Sequence, residues 1–430
     1  MNRDTGGPCL TAEPLVTAAR PRLLPDGAGP GAVTLRGHLA RHGARPSCAG
    51  DWHRRQRLIG EVENAGLTGR GGAGFPTAKK LGTLAAGRRA PQVIANGVEG
   101  EPASDKDKAL LTRTPHLVID GAVSAAELTG ATEAVIVAHP AACQAVRDAA
   151  RERRAAGYDQ VPVRVLEAAD GFTAGEASAV LRWTERGAPA PTGRPPRLGS
   201  LGHQPALVQN VETLAHFALI MRHGASWFRS AGTPAEPGTM LVTLLGAVRQ
   251  PGVCEIEPGI PVSSLLDLAG GPAQPPGALL IGGYFGTWVA AADALDLPFS
   301  AAGLSPLGAR PGAGIVAVLP TGTCGLAETA RLTRYLAGSS AGQCGPCVFG
   351  LDAIARELER AASDGSGDLT RVRGWLRDVT GRGACRHPDG TALMVGSALR
   401  IFRDETGLHS RGRCSATNSA AVLPVPEQPS

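Results

Sequence analysis

The sequence predicts an α/β unit with parallel strands, then a small mixed β unit, then a helical region. Short apolar strands alternate with Ala-rich helices between residues 91 and 166, as parallel α/β layers require. Further strands with one helix among them occupy residues 240–281, in a pattern similar to a β-grasp, and helical periodicity runs from residue 323 to about 406.

In chain order, residues 1–50 are rich in Gly, Pro and Arg without sustained periodicity and read as a tail. Residues 54–65 read as a helix with Leu58, Ile59 and Val62 on one side and Gly66 as its stop. Strands follow at 93–95, 134–138 and 161–166, with helices at 117–128 and 141–156. The Pro/Gly-rich stretch 187–205 is long enough to be a binding loop, and a helix is expected over 211–223. In the second unit the strands fall at 240–244, 252–256 and 278–281, with a helix at 262–268. Residues from about 415 onward are small, polar or Pro-punctuated and read as disordered. These breaks suggest domains at 51–235, 236–318 and 319–410, flanked by tails at 1–50 and 411–430.

A net charge of +5 over 430 residues, with few aromatics, argues against a nucleic-acid binder. No apolar run approaches a membrane span, and the first ten residues lack a signal peptide's basic start, so a cytoplasmic protein is expected. Nine scattered cysteines do not form a disulfide framework.

Two patterns carry chemistry. The stretch Thr68-Gly69-Arg70-Gly71-Gly72-Ala73-Gly74-Phe75-Pro76-Thr77 offers main-chain N–H groups around one cation, which suits a phosphate. All the lysines, Lys79, Lys80, Lys106 and Lys108, lie just after it. A solvated Gly-rich surface loop is the plainer alternative. The second pattern is Cys344-Gly345-Pro346-Cys347, with Cys385 thirty-eight residues further on in Gly383-Ala384-Cys385-Arg386-His387. These thiols suit an iron–sulfur cluster, a redox dithiol, or zinc with His387 as the fourth ligand.

Together, the loop and the cysteines resemble the NADH-binding flavoprotein subunit of respiratory complex I and its relatives in NAD-dependent hydrogenases and formate dehydrogenases. The resemblance runs from about residue 58 to 408. Asn96-Gly97-Val98-Glu99-Gly100-Glu101-Pro102, Gly175-Glu176 and Gln209-Asn210-Val211-Glu212-Thr213-Leu214 carry it further. It implies a Rossmann-like FMN domain, a β-grasp domain and a helical bundle holding a [4Fe–4S] cluster. It also implies an FMN-dependent NAD(P)H dehydrogenase that passes hydride to FMN, then single electrons through the cluster to a ferredoxin-like or quinone-reductase partner. By the same resemblance, Gly69, Arg70, Gly71, Gly72, Phe75, Lys80, Asn96, Glu99, Glu101, Gly175, Arg194, Asn210 and Thr213 bind cofactor, and Glu176 binds it and acts in catalysis. Cys344, Cys347 and Cys385 ligate the metal.

Several positions depart from the family pattern. Ala177 replaces a second glutamate, Val98 an aspartate and Gln209 an asparagine, and Thr83 and Arg197 stand where adenine-stacking aromatics are expected. The donor, NADH or NADPH, is therefore open. Ala341 replaces the first cluster cysteine, which suggests [3Fe–4S], or [4Fe–4S] with a fourth ligand such as His387 or Cys324. A zinc-stabilised or cluster-less scaffold that docks a partner is the alternative function.

Overall fold

The computed structural model describes residues 21–25, 31–193, 205–418 and 420–426. The first unit is built on a parallel sheet of β1 (Gln92–Gly97), β2 (Ala134–Ala138), β3 (Val163–Glu167) and β4 (Ala206–Asn210), in the order β3-β2-β1-β4. Every residue of β2 is buried, as expected where helices cover both faces of a parallel sheet. The strand order reverses at β1, so the carboxyl ends of β1 and β4 flank a crevice of the kind that binds ligands in open α/β sheets. Asn96 and Asn210 pair in register at those two ends.

The helix Pro115–Thr129 is buried along its whole length and crosses the helix Val211–Phe228 closely. A Cβ at Gly121 would lie 2.0 Å from the Leu214 carbonyl oxygen, so only glycine permits this crossing. The adjacent Asp120, also buried, accepts from Arg153 at 2.7 Å and pairs with His38 at 2.6 Å and with Arg222. Removing that carboxylate would leave the buried Arg222 side chain without its carboxylate partner, while Arg153 keeps its pair with Asp159 at 2.7 Å, a loss of roughly 3–5 kcal/mol.

His38 corrects the expectation of an N-terminal tail. It lies on a helix, Leu35–His42, docked on the α/β unit, and the main-chain N–H groups of Leu23 and Leu24 donate to Glu255 at 2.8 and 3.1 Å. Leu23 and Leu24 are fully buried. Tertiary contacts supply the order that local periodicity lacks.

The second unit contains β5 (Met240–Gly246), β6 (Gly252–Ile256), β7 (Pro276–Ile281), β8 (Thr287–Ala290) and β9 (Ile315–Pro320), in the order β6-β5-β9-β7-β8. The helix Val262–Leu268 packs on this sheet through Val262, Leu265 and Leu266. β9 lies parallel to β5 and antiparallel to β7 at the centre of the sheet. The third unit comprises the helices Gly325–Gly338, Asp352–Ser363, Leu369–Val379 and His387–Ile401, followed by the short helix Arg403–His409. The following segment, expected to be disordered, is instead laid along the first of these helices. The N–H groups of Val422 and Leu423 donate to Glu328 at 3.2 and 2.7 Å, and Leu423 is buried.

Candidate functional site

The glycine loop lies over the carboxyl ends of β1 and β4. It is closed at its base by Gly69 N–H donating to Phe75 O and Thr77 N–H donating to Leu67 O, both at 2.9 Å. Gly72 and Gly74 have φ of 94° and 62°, which reverses the chain within the loop. A Cβ added to Gly71 would lie 3.4 Å from Asn210 Cβ, so loop and strand end are in close approach. The N–H groups of Gly71, Gly72, Ala73 and Gly74 donate to no described residue, and all four residues are exposed. The helix Thr77–Ala85 starts directly after the loop with no side-chain cap, its first N–H, that of Thr77, being taken up by Leu67 O. Such a cradle fits the phosphate end of a flavin nucleotide.

Most polar side chains expected to touch cofactor are instead engaged with one another. Thr213 is fully buried and accepts from Arg70 N–H at 2.8 Å, which fixes the loop. The Arg70 guanidinium donates to Pro237 O at 3.0 Å, so the loop's cation is directed at the start of the second unit. Asn96 donates to Gly175 O at 2.9 Å and accepts from Val98 N–H at 3.3 Å. Asn210 donates to Asp107 at 2.6 Å and accepts from Glu212 N–H at 3.0 Å. Glu99, at φ 48°, accepts from Asp107 N–H, Lys108 N–H and the Ser104 hydroxyl at 2.9, 2.7 and 2.5 Å. Burial and the neighbouring Asp107 push its carboxyl up to about 7. Glu176 caps the helix Ala177–Arg186 with one oxygen, accepting from Ser178 N–H and Ala179 N–H at 2.9 and 3.1 Å.

Glu101 belongs to the domain boundary. Its Oε1 accepts from Tyr284 N–H at 2.9 Å, and its Oε2 would lie 2.9 Å from a Cβ at Gly283. Burial pushes this carboxyl up to about 8, against the pull of the Tyr284 N–H.

The lysines separate by role. Lys106 is buried between Asp107 (2.7 Å) and Glu212 (2.9 Å), and Lys108 pairs with Asp105 at 2.5 Å, so both are structural. Lys80 lies beside the loop, donating to Gln209 Oε1 at 3.1 Å and Val208 O at 3.3 Å, and burial lowers its pKa. Its Nζ stands 5.8 Å from the ring centre of Phe75, which is 42% exposed. The expected site residue Arg194, together with Arg197, lies outside the described residues.

The cysteine loop closes on the same region from the third unit. Cys347 and Val348 N–H both donate to Cys344 O, at 3.2 and 3.0 Å, opening a π-helical turn over Pro346–Leu351. Burial, then the adjacent Cys344 thiol, raises the Cys347 pKa, with a smaller contribution from Cys385. Burial also raises Cys385, and the carboxylate of Glu176 raises it further. The cysteine loop therefore abuts the flavin-side turn, and a Cβ on Gly193 would lie 3.5 Å from Ala384 O.

Phe172 opens the short turn that ends at Gly175. It packs on Phe285 of the second unit (4.8 Å) and on Tyr335 (6.2 Å) and His387 (5.6 Å) of the third. This three-way aromatic junction has no signature in the sequence, because nothing local links its members. It fixes the thiols relative to the cradle.

Cys344 and Cys385 both lie near enough to Cys347 to raise its thiol, a looser grouping that suits a multi-iron cluster better than a single ion. Of the two extra ligands considered, Cys324 is elsewhere, with its sulfur 3.3 Å from His409 Nε2. His387 remains beside the site, donating Nε2–H to Leu336 O at 2.7 Å while its buried Nδ1 has no partner among the described residues.

Comparison with known proteins agrees with this architecture. Residues 62–218 match the Nuo51 FMN-binding domain, residues 241–281 the SLBB domain, and residues 327–409 the NADH-ubiquinone oxidoreductase-F iron-sulfur binding region. An NADH-quinone oxidoreductase subunit of Streptomyces coelicolor is 32% identical over 377 residues, covering 83% of each chain. The NADP-reducing hydrogenase subunit HndC of Solidesulfovibrio fructosivorans is 28% identical, covering 85% of this chain and 79% of that protein. An air-oxidized NAD+-reducing [NiFe]-hydrogenase structure superposes with a TM-score of 0.77 at 28% identity, over 89% of this chain and 66% of the hydrogenase chain. No described helix is long and apolar enough to cross a membrane. With its three domains in order and the Streptomyces coelicolor relative above 30% identity, the chain belongs to the NADH-quinone oxidoreductase-F family of FMN-binding, iron–sulfur flavoproteins.

Proposed function

We propose that this protein is an FMN- and iron–sulfur-dependent NAD(P)H dehydrogenase subunit that delivers electrons to a redox partner protein. The observation that carries this reading is the exposed glycine loop, with unpaired N–H groups, seated at the β1/β4 crevice. Bound there, FMN supplies hydride acceptance from a reduced nicotinamide and one-electron release to a cluster. The chain's own groups bind and orient. Main-chain N–H groups of residues 71–74 and the Lys80 ammonium neutralise phosphate, and Asn96, Asn210 and Glu99 hold the surrounding turns rigid. Glu176 follows the Gly175 turn that Asn96 anchors, and its charge reaches Cys385, which makes it the residue between the flavin-side turn and the thiols.

Cys344, Cys347 and Cys385 would hold the cluster, with His387 Nδ1 as the protein's candidate for the position left by Ala341. Phe75 is the aromatic available for stacking on a base. The acceptor protein would approach over Val348 and Phe349, which are 43% and 75% exposed next to Cys347. Apolar exposure of this size suits a docking contact.

Anaerobically purified protein tests the reading. Flavin, iron and acid-labile sulfide should be present together, with dye reduction by NADH or NADPH. Colourless protein without flavin or sulfide would overturn it.

A further inference from the structure

At the opposite end of the helix Gly325–Gly338 from the cysteine loop lies a second constellation that the electron-transfer reading does not use. Cys324 is the residue preceding this helix, Glu405 and His409 are one turn apart on the helix Arg403–His409, and Cys414 follows in the next loop. Their ligand atoms all lie within 4.8 Å of one another, the only such group of His, Cys, Asp and Glu among the described residues. Cys324 Sγ is 3.3 Å from His409 Nε2, which is 3.2 Å from Glu405 Oε1. A tetrahedral zinc holds sulfur at about 2.3 Å and nitrogen or oxygen at about 2.0–2.2 Å, so neighbouring ligand atoms stand about 3.3–3.8 Å apart. The Cys324–His409 and His409–Glu405 separations stand at the short end of that range, and all four ligand atoms are gathered within 4.8 Å.

The surroundings are those of a prepared metal site. Cys324 Sγ accepts from Ala327 N–H at 3.3 Å at the positive end of its helix, and Cys414 Sγ accepts from Ala416 N–H at 3.4 Å. Ser415 N–H donates to Glu405 Oε1 at 3.0 Å, and the Ser415 hydroxyl donates to Oε2, which orients the carboxylate. Cys324 and His409 are buried, whereas Cys414 lies at the surface and offers an entry path.

We propose that Cys324, Glu405, His409 and Cys414 bind one structural zinc ion, which fastens the chain after residue 410 to the start of the helical domain. Two sulfurs, one imidazole and one carboxylate in a closed tetrahedron suit zinc better than calcium or magnesium. The segment it fastens also bonds through Thr417 and Asn418 N–H to Gly322 O, at 2.9 and 3.1 Å, and ends against Glu328 and Arg331. The ion would add a crosslink to a segment held by these hydrogen bonds and by the packing of Leu423.

Zinc-edge X-ray absorption and metal analysis of the full-length protein test this directly. The expected result is about one zinc per chain, with two sulfur neighbours at about 2.3 Å and two lighter neighbours at about 2.0–2.2 Å. In Cys414→Ser and in Cys324→Ser, zinc should fall below about a tenth of that value while flavin and iron are retained. Zinc-free wild-type protein would overturn the proposal, as would a shell without sulfur or with three sulfurs. Zinc retained in both variants would also overturn it. The wild-type absorption measurement decides the matter even if a variant fails to fold.

Discussion

In the cradle, Asn96, Glu99, Asn210 and Thr213 hold main-chain turns, and what remains for a ligand is a row of main-chain N–H groups from residues 71–74. In the proposed cluster site the side chains of Cys344, Cys347 and Cys385 would themselves be the ligands. The two regions should tolerate substitution differently for that reason. Val98 and Gln209 stand where other polar residues are expected, and Gln209 is itself engaged, bridging Lys80 and Thr77 Oγ1, both at 3.1 Å. A site made of backbone tolerates side-chain exchange provided the turns are held. At the cysteine loop Ala341, standing where the resemblance implies a cysteine, would leave the cluster one ligand short.

The largest expected effect tests the side-chain half of this comparison. Cys385→Ser should abolish the cluster, seen as loss of iron and acid-labile sulfide, while FMN content is unchanged. Loss of both cofactors together would mean that the two sites are not separable.

The next effect concerns the backbone half. Gly72→Val places a β-branched residue at φ 94°, a strain of about 1–3 kcal/mol, and should weaken FMN binding roughly 5- to 150-fold while iron is retained. Equilibrium binding of FMN to the flavin-depleted variant measures it. Gln209→Asn, by contrast, should leave FMN affinity within about threefold, since the main-chain N–H groups stay in place.

A smaller effect lies at the boundary between the first two units. The folded pKa of Glu101 is raised to about 8 from an ordinary value of 4.5. Between those values the folded protein keeps a proton that the unfolded chain has released, so stability falls as pH rises through that window. Glu99, raised to about 7, acts in the same direction. Thermal unfolding should therefore show a Tm that declines from about pH 5 to pH 8, and Glu101→Gln should flatten the decline. An unchanged slope would show that Glu101 does not carry that proton.

Much of the fold is legible in the sequence where the signal is local. The strand at Ala134–Ala138, the helix Val262–Leu268 and the stop at Gly66 follow from apolar runs and turn residues. The glycine loop and Cys344-Gly345-Pro346-Cys347 are equally plain. Elements ordered by distant partners are not. The helix Leu35–His42 depends on His38 reaching Asp120, and the segment near Leu423 depends on Glu328. β9 follows a Gly/Pro-rich stretch whose punctuation hides a central strand. The roles of Lys106, Arg70 and Glu101 are unreadable for the same reason, because each is set by a residue more than a hundred positions away.

The most direct test of the central claim is an FMN titration of flavin-depleted protein, following flavin fluorescence, for wild type, Gly72→Val and Cys385→Ser. A flavin site built on the glycine loop predicts saturation at one FMN per chain for wild type and for Cys385→Ser with similar affinity, and clearly weaker binding for Gly72→Val. Absence of FMN binding by the wild type, or equal affinity in Gly72→Val, would contradict it.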